Sequence, residues 1–139
     1  MKQIILGVYA TIFCTALSAQ CGKDLTLTSS TTEYLDASGA VQKTVDESTK
    51  IEIGQKSISI SPGGDHTMTG TILSVTCAWK TGFKEGKSEF KTEFEDEGSL
   101  KKITIVLEGK NGKVSFTVNI ADEPDKIIRV WADSFEEKK

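Results

Sequence analysis

Between positions 89 and 120 the apolar residues recur with a period of two, and that period limits the fold more than any other feature of the chain. Phe90, Thr92 and Phe94 alternate with Glu89, Lys91 and Glu93. Ile103, Ile105 and Leu107 alternate with Lys102, Thr104 and Val106, and Val114, Phe116, Val118 and Ile120 with Ser115, Thr117 and Asn119. A helix would space its buried residues three and four apart. Strict alternation instead describes strands with one dry and one wet face, and so an antiparallel sheet. Leu73, Val75, Cys77 and Trp79 alternate with Ser74, Thr76 and Ala78 in the same way.

Turn residues then fix the expected register. Asn111-Gly112 separates two of these runs, and both residues readily take φ > 0, as a two-residue hairpin requires. Placing them at the tip pairs Leu107 with Phe116, Ile105 with Val118 and Ile103 with Ile120, so every inward residue meets an inward residue. Gly98-Ser99 reads as a second turn, with Gly first. It pairs Phe94 with Ile103, Thr92 with Ile105 and Phe90 with Leu107, and sets Glu95 opposite Lys102.

Upstream, Leu25 and Leu27 suggest a first strand, and Asp36-Ala37-Ser38-Gly39 a turn between Tyr34-Leu35 and Val41. Ile51 and Ile53 lie before Gly54-Gln55 and Ile58 and Ile60 after it, a further hairpin. Ser61-Pro62-Gly63-Gly64-Asp65 breaks the chain before the run from Met68 to Trp79. Asp122-Glu123-Pro124-Asp125 reads two ways. It can cap a short C-terminal helix with Ile127, Ile128, Trp131 and Phe135 as its stripe, or turn into a last strand, which the β-branched and aromatic residues favour. The expectation is an all-β domain: an antiparallel meander of about eight strands, folded as a barrel or a sandwich.

The start of the chain bears on compartment. Residues 1–19 read as a secretory signal peptide, with Lys2 as the charged region, residues 4–17 as the apolar region, and Leu17-Ser18-Ala19 before Gln20. The apolar run is shorter than the roughly 20 residues of a membrane span, so the expected mature domain, residues 20–139, has no transmembrane segment. Cys14 leaves with the leader. Cys21 and Cys77 remain, and an even count in an oxidising compartment implies a disulfide between them. A lipoprotein reading competes, because Cys21 lies just past the apolar run, but Gln20 stands where a lipobox needs a small residue. Export to the periplasm or the extracellular space follows on either reading.

Composition excludes several partners. With 17 Lys plus Arg against 20 Asp plus Glu, interspersed along the chain, there is no clustered basic face for nucleic acid. At 27% charged and 37% apolar residues with only 2 Pro, the chain is globular rather than disordered. Two Cys and one His are too few for a four-ligand structural zinc site. The acidic run Glu93, Glu95, Asp96 and Glu97 lacks the spacing of a calcium loop. Neither Gly63-Gly64 nor the stretch from Gly109 to Gly112 has the Lys-Ser/Thr or the strand-to-helix setting of a phosphate loop. No cofactor motif is present.

Three functional readings follow. The leading one is a small exported, non-enzymatic binding domain whose partner is a protein, a glycan or a small apolar ligand held inside a barrel, Trp79 being a candidate cavity residue. The second is a hydrolase or lyase using His66, the single histidine, beside Asp65. The third is a secreted inhibitor presenting the loop Lys80-Thr81-Gly82-Phe83-Lys84-Glu85-Gly86-Lys87, in which Phe83 and Lys84 are the candidate contact residues. For Phe83, folding back over the end of the sheet competes with that role.

Overall fold

The computed structural model describes residues 21–63 and 67–138. The expected leader and His66 lie outside the described residues. Eight strands follow in chain order: β1 (Leu25–Leu35), β2 (Val41–Ile53), β3 (Ser57–Pro62), β4 (Met68–Thr81), β5 (Glu85–Asp96), β6 (Ser99–Lys110), β7 (Lys113–Ile120) and β8 (Ile127–Glu137). Each pairs antiparallel with the next, and β8 pairs with β1, which closes the sheet into a barrel. The choice between barrel and sandwich is thereby resolved.

The helical alternative for the C-terminal segment is overturned. β8 hydrogen-bonds to β7 on one side and to β1 on the other, so its backbone groups are met by two ladders rather than by a helix. The preceding turn is tied by Glu123 N–H to the Ile120 carbonyl at 3.0 Å and Lys126 N–H to the Glu123 carbonyl at 2.9 Å. Outside the barrel, Glu33 of β1 accepts from Arg129 Nε at 2.8 Å and from Trp131 Nε1 at 3.0 Å, both on β8. The Arg129 guanidinium lies 5.1 Å from the centre of the Trp131 ring. One carboxylate thus pins the closing seam.

The hairpin at Asn111-Gly112 has the expected register, with Leu107 opposite Phe116, Ile105 opposite Val118 and Ile103 opposite Ile120. The preceding hairpin differs. Asp96 pairs with Ser99, so the central residues are Glu97 and Gly98, at φ 52° and 83°, and the partners become Phe94 with Lys101, Thr92 with Ile103 and Phe90 with Ile105. On the wet face Lys102 meets Glu93 rather than Glu95. The cause is turn chemistry. Two consecutive positive φ values match the right-handed twist of the strands they join, and Glu97 accepts one to reach that geometry. The displacement is by two residues, so no side chain changes face.

The run from Leu73 to Trp79 also departs from simple alternation. Ile72 pairs with Thr92 and Ser74 with Lys91, so Leu73 is the extra residue of a bulge and is 54% exposed. Val75 stands opposite inward-facing Phe90, yet is 51% exposed, because β3 pairs with β4 only as far as Thr71. Cys77 is partly buried and Trp79 fully so.

Leu25, Leu27, Ile51, Ile53, Ile58, Phe90, Ile105, Leu107 and Phe116 fill the barrel, while Lys, Glu, Ser and Thr make up most of its outside. That is the reverse of the polar interior and apolar belt of a lipid-embedded barrel. Among the described residues no helix is long and apolar enough to cross a membrane.

The turn geometry yields a stability prediction. Gly98→Ala puts a Cβ on a residue at φ 83° and is expected to destabilise by about 1 kcal/mol. Glu97→Asn, which tolerates the left-handed region better, is expected to be neutral or stabilising in the same urea titration.

Candidate ligand-binding cavity

The two ends of the barrel are built differently. At one end, Trp79 faces Gly86 of β5, and Gly86 in turn pairs with Gly109 of β6. The indole occupies the space these two glycines leave, and a Cβ on either would collide with it. Trp79 Nε1 donates to Ser88 Oγ at 2.8 Å, and that hydroxyl donates to Cys77 Sγ at 3.3 Å. Phe135 packs on Trp79 at 6.2 Å between ring centres, and Phe83 meets Phe135 edge-on at 5.0 Å. The Cys21–Cys77 disulfide, spanning a sequence separation of 56, clamps the segment before β1 onto β4 here. This end is plugged.

The other end is open inside. A cavity of about 540 Å³ is lined by Ile51, Ile60, Phe94, Ile103, Phe116, Val118, Ile120, Ile128 and Val130, with Thr32 and Thr49 among them and Tyr34, Glu47, Met68, Glu95, Lys101 and Glu123 towards the mouth. This volume falls within the range of small-molecule sites.

Two local choices of sequence create the space, and a third shapes its wall. First, β1 carries a bulge around Ser29–Thr31, where Ser29 Oγ donates to the Thr31 carbonyl at 2.9 Å and accepts from Thr31 N–H at 3.2 Å. Below it Leu25, Leu27 and Ser29 are buried; above it Thr32 and Tyr34 line the cavity, because the extra residue reverses the facing, and Leu35, also buried, follows a second irregularity at Tyr34–Leu35. Second, the buried positions of β2 run from Ile53 and Ile51 to Thr49, so a smaller side chain follows two large ones. Third, Gly70 of β4 lies opposite Phe94, whose ring covers it and stands where a side chain would otherwise project. The large residues thus fill one half of the barrel and leave the other half unfilled.

Charge at the mouth is uneven. Lys101 lies 3.7 Å from Glu123, and Lys126 lies 3.1 Å from the same carboxylate. The hydrogen bond from Lys126 and its charge, with a lesser contribution from Lys101, hold the Glu123 carboxyl below its usual range against the opposing effect of burial. Glu47 and Glu95 make no ion pair among the described residues.

The residues singled out in the sequence are distributed across this plan. Trp79 sits in the plugged end and does not line the cavity. Phe83, at φ 64°, folds back onto Phe135 rather than projecting from its loop, while Lys84 is exposed. Cys21 and Cys77 are joined, and the bridge uses the sulfur that a thioether lipid at Cys21 would require. The bridge also fits an oxidising compartment. The His66 reading falls outside the described residues. Among the described residues no three His, Cys, Asp or Glu side chains gather as a metal site. Thr32 and Thr49 were not legible as site residues, because their facing and depth depend on the β1 bulge and on the curvature of the closed sheet.

The covalent clamp has a measurable weight. Replacing both Cys21 and Cys77 by Ser releases a loop of 56 residues' separation and is expected to lower unfolding stability by about 4 kcal/mol in the chain-entropy picture, read from denaturant midpoints under non-reducing conditions. The same loss should follow when the wild-type chain is measured in excess reductant.

No protein-family model, no curated protein and no solved structure matches the chain, so function is argued from the cavity itself.

Proposed function

We propose that this protein is an exported, non-enzymatic binding module that holds one small apolar ligand in the open half of its barrel. The observation that carries the reading is the cavity of about 540 Å³, walled by aliphatic and aromatic side chains and capped at its far end by packed core. Burying apolar surface there gains roughly 25 cal/mol per Å² removed from water. A chain that kept this space only by accident would lose the packing of the same strands for nothing in return, since unfilled apolar volume is destabilising.

The plugged end supports the same reading. Trp79, Phe83, Phe135 and the disulfide hold the strands together where no ligand enters, so the open half keeps its shape without being packed solid. A site largely formed before its ligand arrives loses little to ordering on binding.

The neutral apolar fluorophore N-phenylnaphthylamine tests the proposal. Saturable emission enhancement at one molecule per chain is expected, with an affinity in the micromolar range or tighter. Val118→Trp, which pushes an indole into the cavity from β7, is expected to weaken that binding at least about tenfold while the circular dichroism spectrum remains that of a β protein. Unsaturable binding, or binding indifferent to Val118→Trp, would falsify the assignment.

A further inference from the structure

Thr32 and Thr49 are 3% and 5% exposed, both line the cavity, and the hydroxyl of neither has a hydrogen-bond partner among the described residues. Three other deeply buried hydroxyls among the described residues, those of Ser29, Ser88 and Thr92, are met. Ser29 Oγ donates to the Thr31 carbonyl, Ser88 Oγ accepts from the Trp79 indole, and Thr92 Oγ1 donates to the Ile103 carbonyl at 2.7 Å. The two exceptions are therefore not a general looseness of the structure. They stand on one wall, on neighbouring strands β1 and β2, where the ladder already uses the backbone groups. Polar groups so deeply buried are nearly always paired, and an apolar ligand alone would leave both without a partner.

Resting on the binding reading above, we infer that the ligand is an uncharged amphiphile, an apolar chain or ring system bearing hydroxyl or carbonyl oxygen, and that anionic amphiphiles of the same length are rejected. A threonine hydroxyl both donates and accepts but carries no charge, so it matches an alcohol or a ketone. A carboxylate or phosphate brought to Thr32 or Thr49 would leave water for a wall of Ile51, Phe116, Val118 and Val130, and among the described residues lining the cavity the cation is Lys101, already beside Glu123. The mouth adds to the discrimination. Glu47 and Glu95 carry charge of the same sign as such a headgroup, and Lys101, the one lysine lining the opening among the described residues, lies 3.7 Å from Glu123.

Displacement of bound N-phenylnaphthylamine by decanol, decane and decanoate at neutral pH, where decanoate is ionised, tests the inference. Decanol is expected to displace the fluorophore at a concentration about tenfold lower than decanoate does. It is also expected to outcompete decane relative to their partitioning into hydrocarbon. In the Thr32→Val/Thr49→Val variant the fluorophore should still bind, and the advantage of decanol over decane should shrink about fivefold or more, the size of one or two net hydrogen bonds. Thr32→Ser with Thr49→Ser, which keeps the hydroxyls, should retain that advantage. In Glu47→Gln/Glu95→Gln the gap between decanol and decanoate should narrow about threefold at low salt.

Decanoate displacing as well as decanol in the wild-type chain would overturn the inference with no variant needed. A decanol advantage left intact in the valine variant would overturn the role of the two hydroxyls. If the wild-type chain fails to bind the fluorophore at all, the binding reading itself falls, and that result is separate from either of the other two.

Discussion

Pairing of β8 with β1 is the constraint on which the remaining structure depends. Without it, β1 would present an open row of backbone donors and acceptors along its full length, and the inward residues of eight strands would have no common interior. Closure is supported from outside by Glu33, which joins Arg129 and Trp131 across the seam at 2.7–3.0 Å. It also sets the size of the inside. An eight-stranded barrel is just wide enough for side chains to fill or for one small molecule to replace some of them. Whether a given level is packed or hollow is then decided residue by residue.

That decision follows side-chain size. Where Leu25, Leu27, Ile53, Ile58, Phe90 and Leu107 point inward, the barrel is solid. Where the smaller Thr32 and Thr49 occupy inward positions, it is hollow. At Gly86 and Gly109 the missing Cβ admits the Trp79 indole, and at Gly70 it admits the Phe94 ring. Glycine opposite an aromatic thus appears on both sides of the molecule. At one end the ring that covers it belongs to the plug, and at the other, Phe94 is part of the cavity wall. The disulfide falls at the plugged end, away from the cavity lining.

Much of this plan was legible in the sequence, and the parts that were not share a cause. The all-β class, the number of strands, the Asn111-Gly112 hairpin and its register, and the Cys21–Cys77 bridge all follow from local signals: a period of two, a turn dipeptide, an even cysteine count. The register of the preceding hairpin was displaced because Glu97, a residue without special tolerance for positive φ, occupies a left-handed position. Leu73 was assigned to the inner face, and a bulge placed it outside. The cavity was invisible for the same reason. Its deep residue Thr32 points inward only because an extra residue around Ser29–Thr31 reverses the alternation, and bulges leave no composition signal. Trp79 was the natural candidate for a ligand pocket by size alone, but size favours packing when two glycines stand beneath the ring.

The arrangement also explains how a chain of this size tolerates an unfilled interior. The two hydroxyls without a partner among the described residues and the space left between the side chains both act against folding, so stabilisation has to come from elements away from the cavity. The disulfide, the Trp79–Ser88–Cys77 hydrogen-bond chain, the Phe83–Phe135–Trp79 stack and the Glu33 seam all qualify, since none of these side chains lines the cavity. Stability and the proposed ligand site are thereby placed in different halves of one sheet. Substitutions that fill the cavity are then free to strengthen the fold while removing the site, the trade-off expected wherever a binding site is held in a state less stable than the same backbone allows.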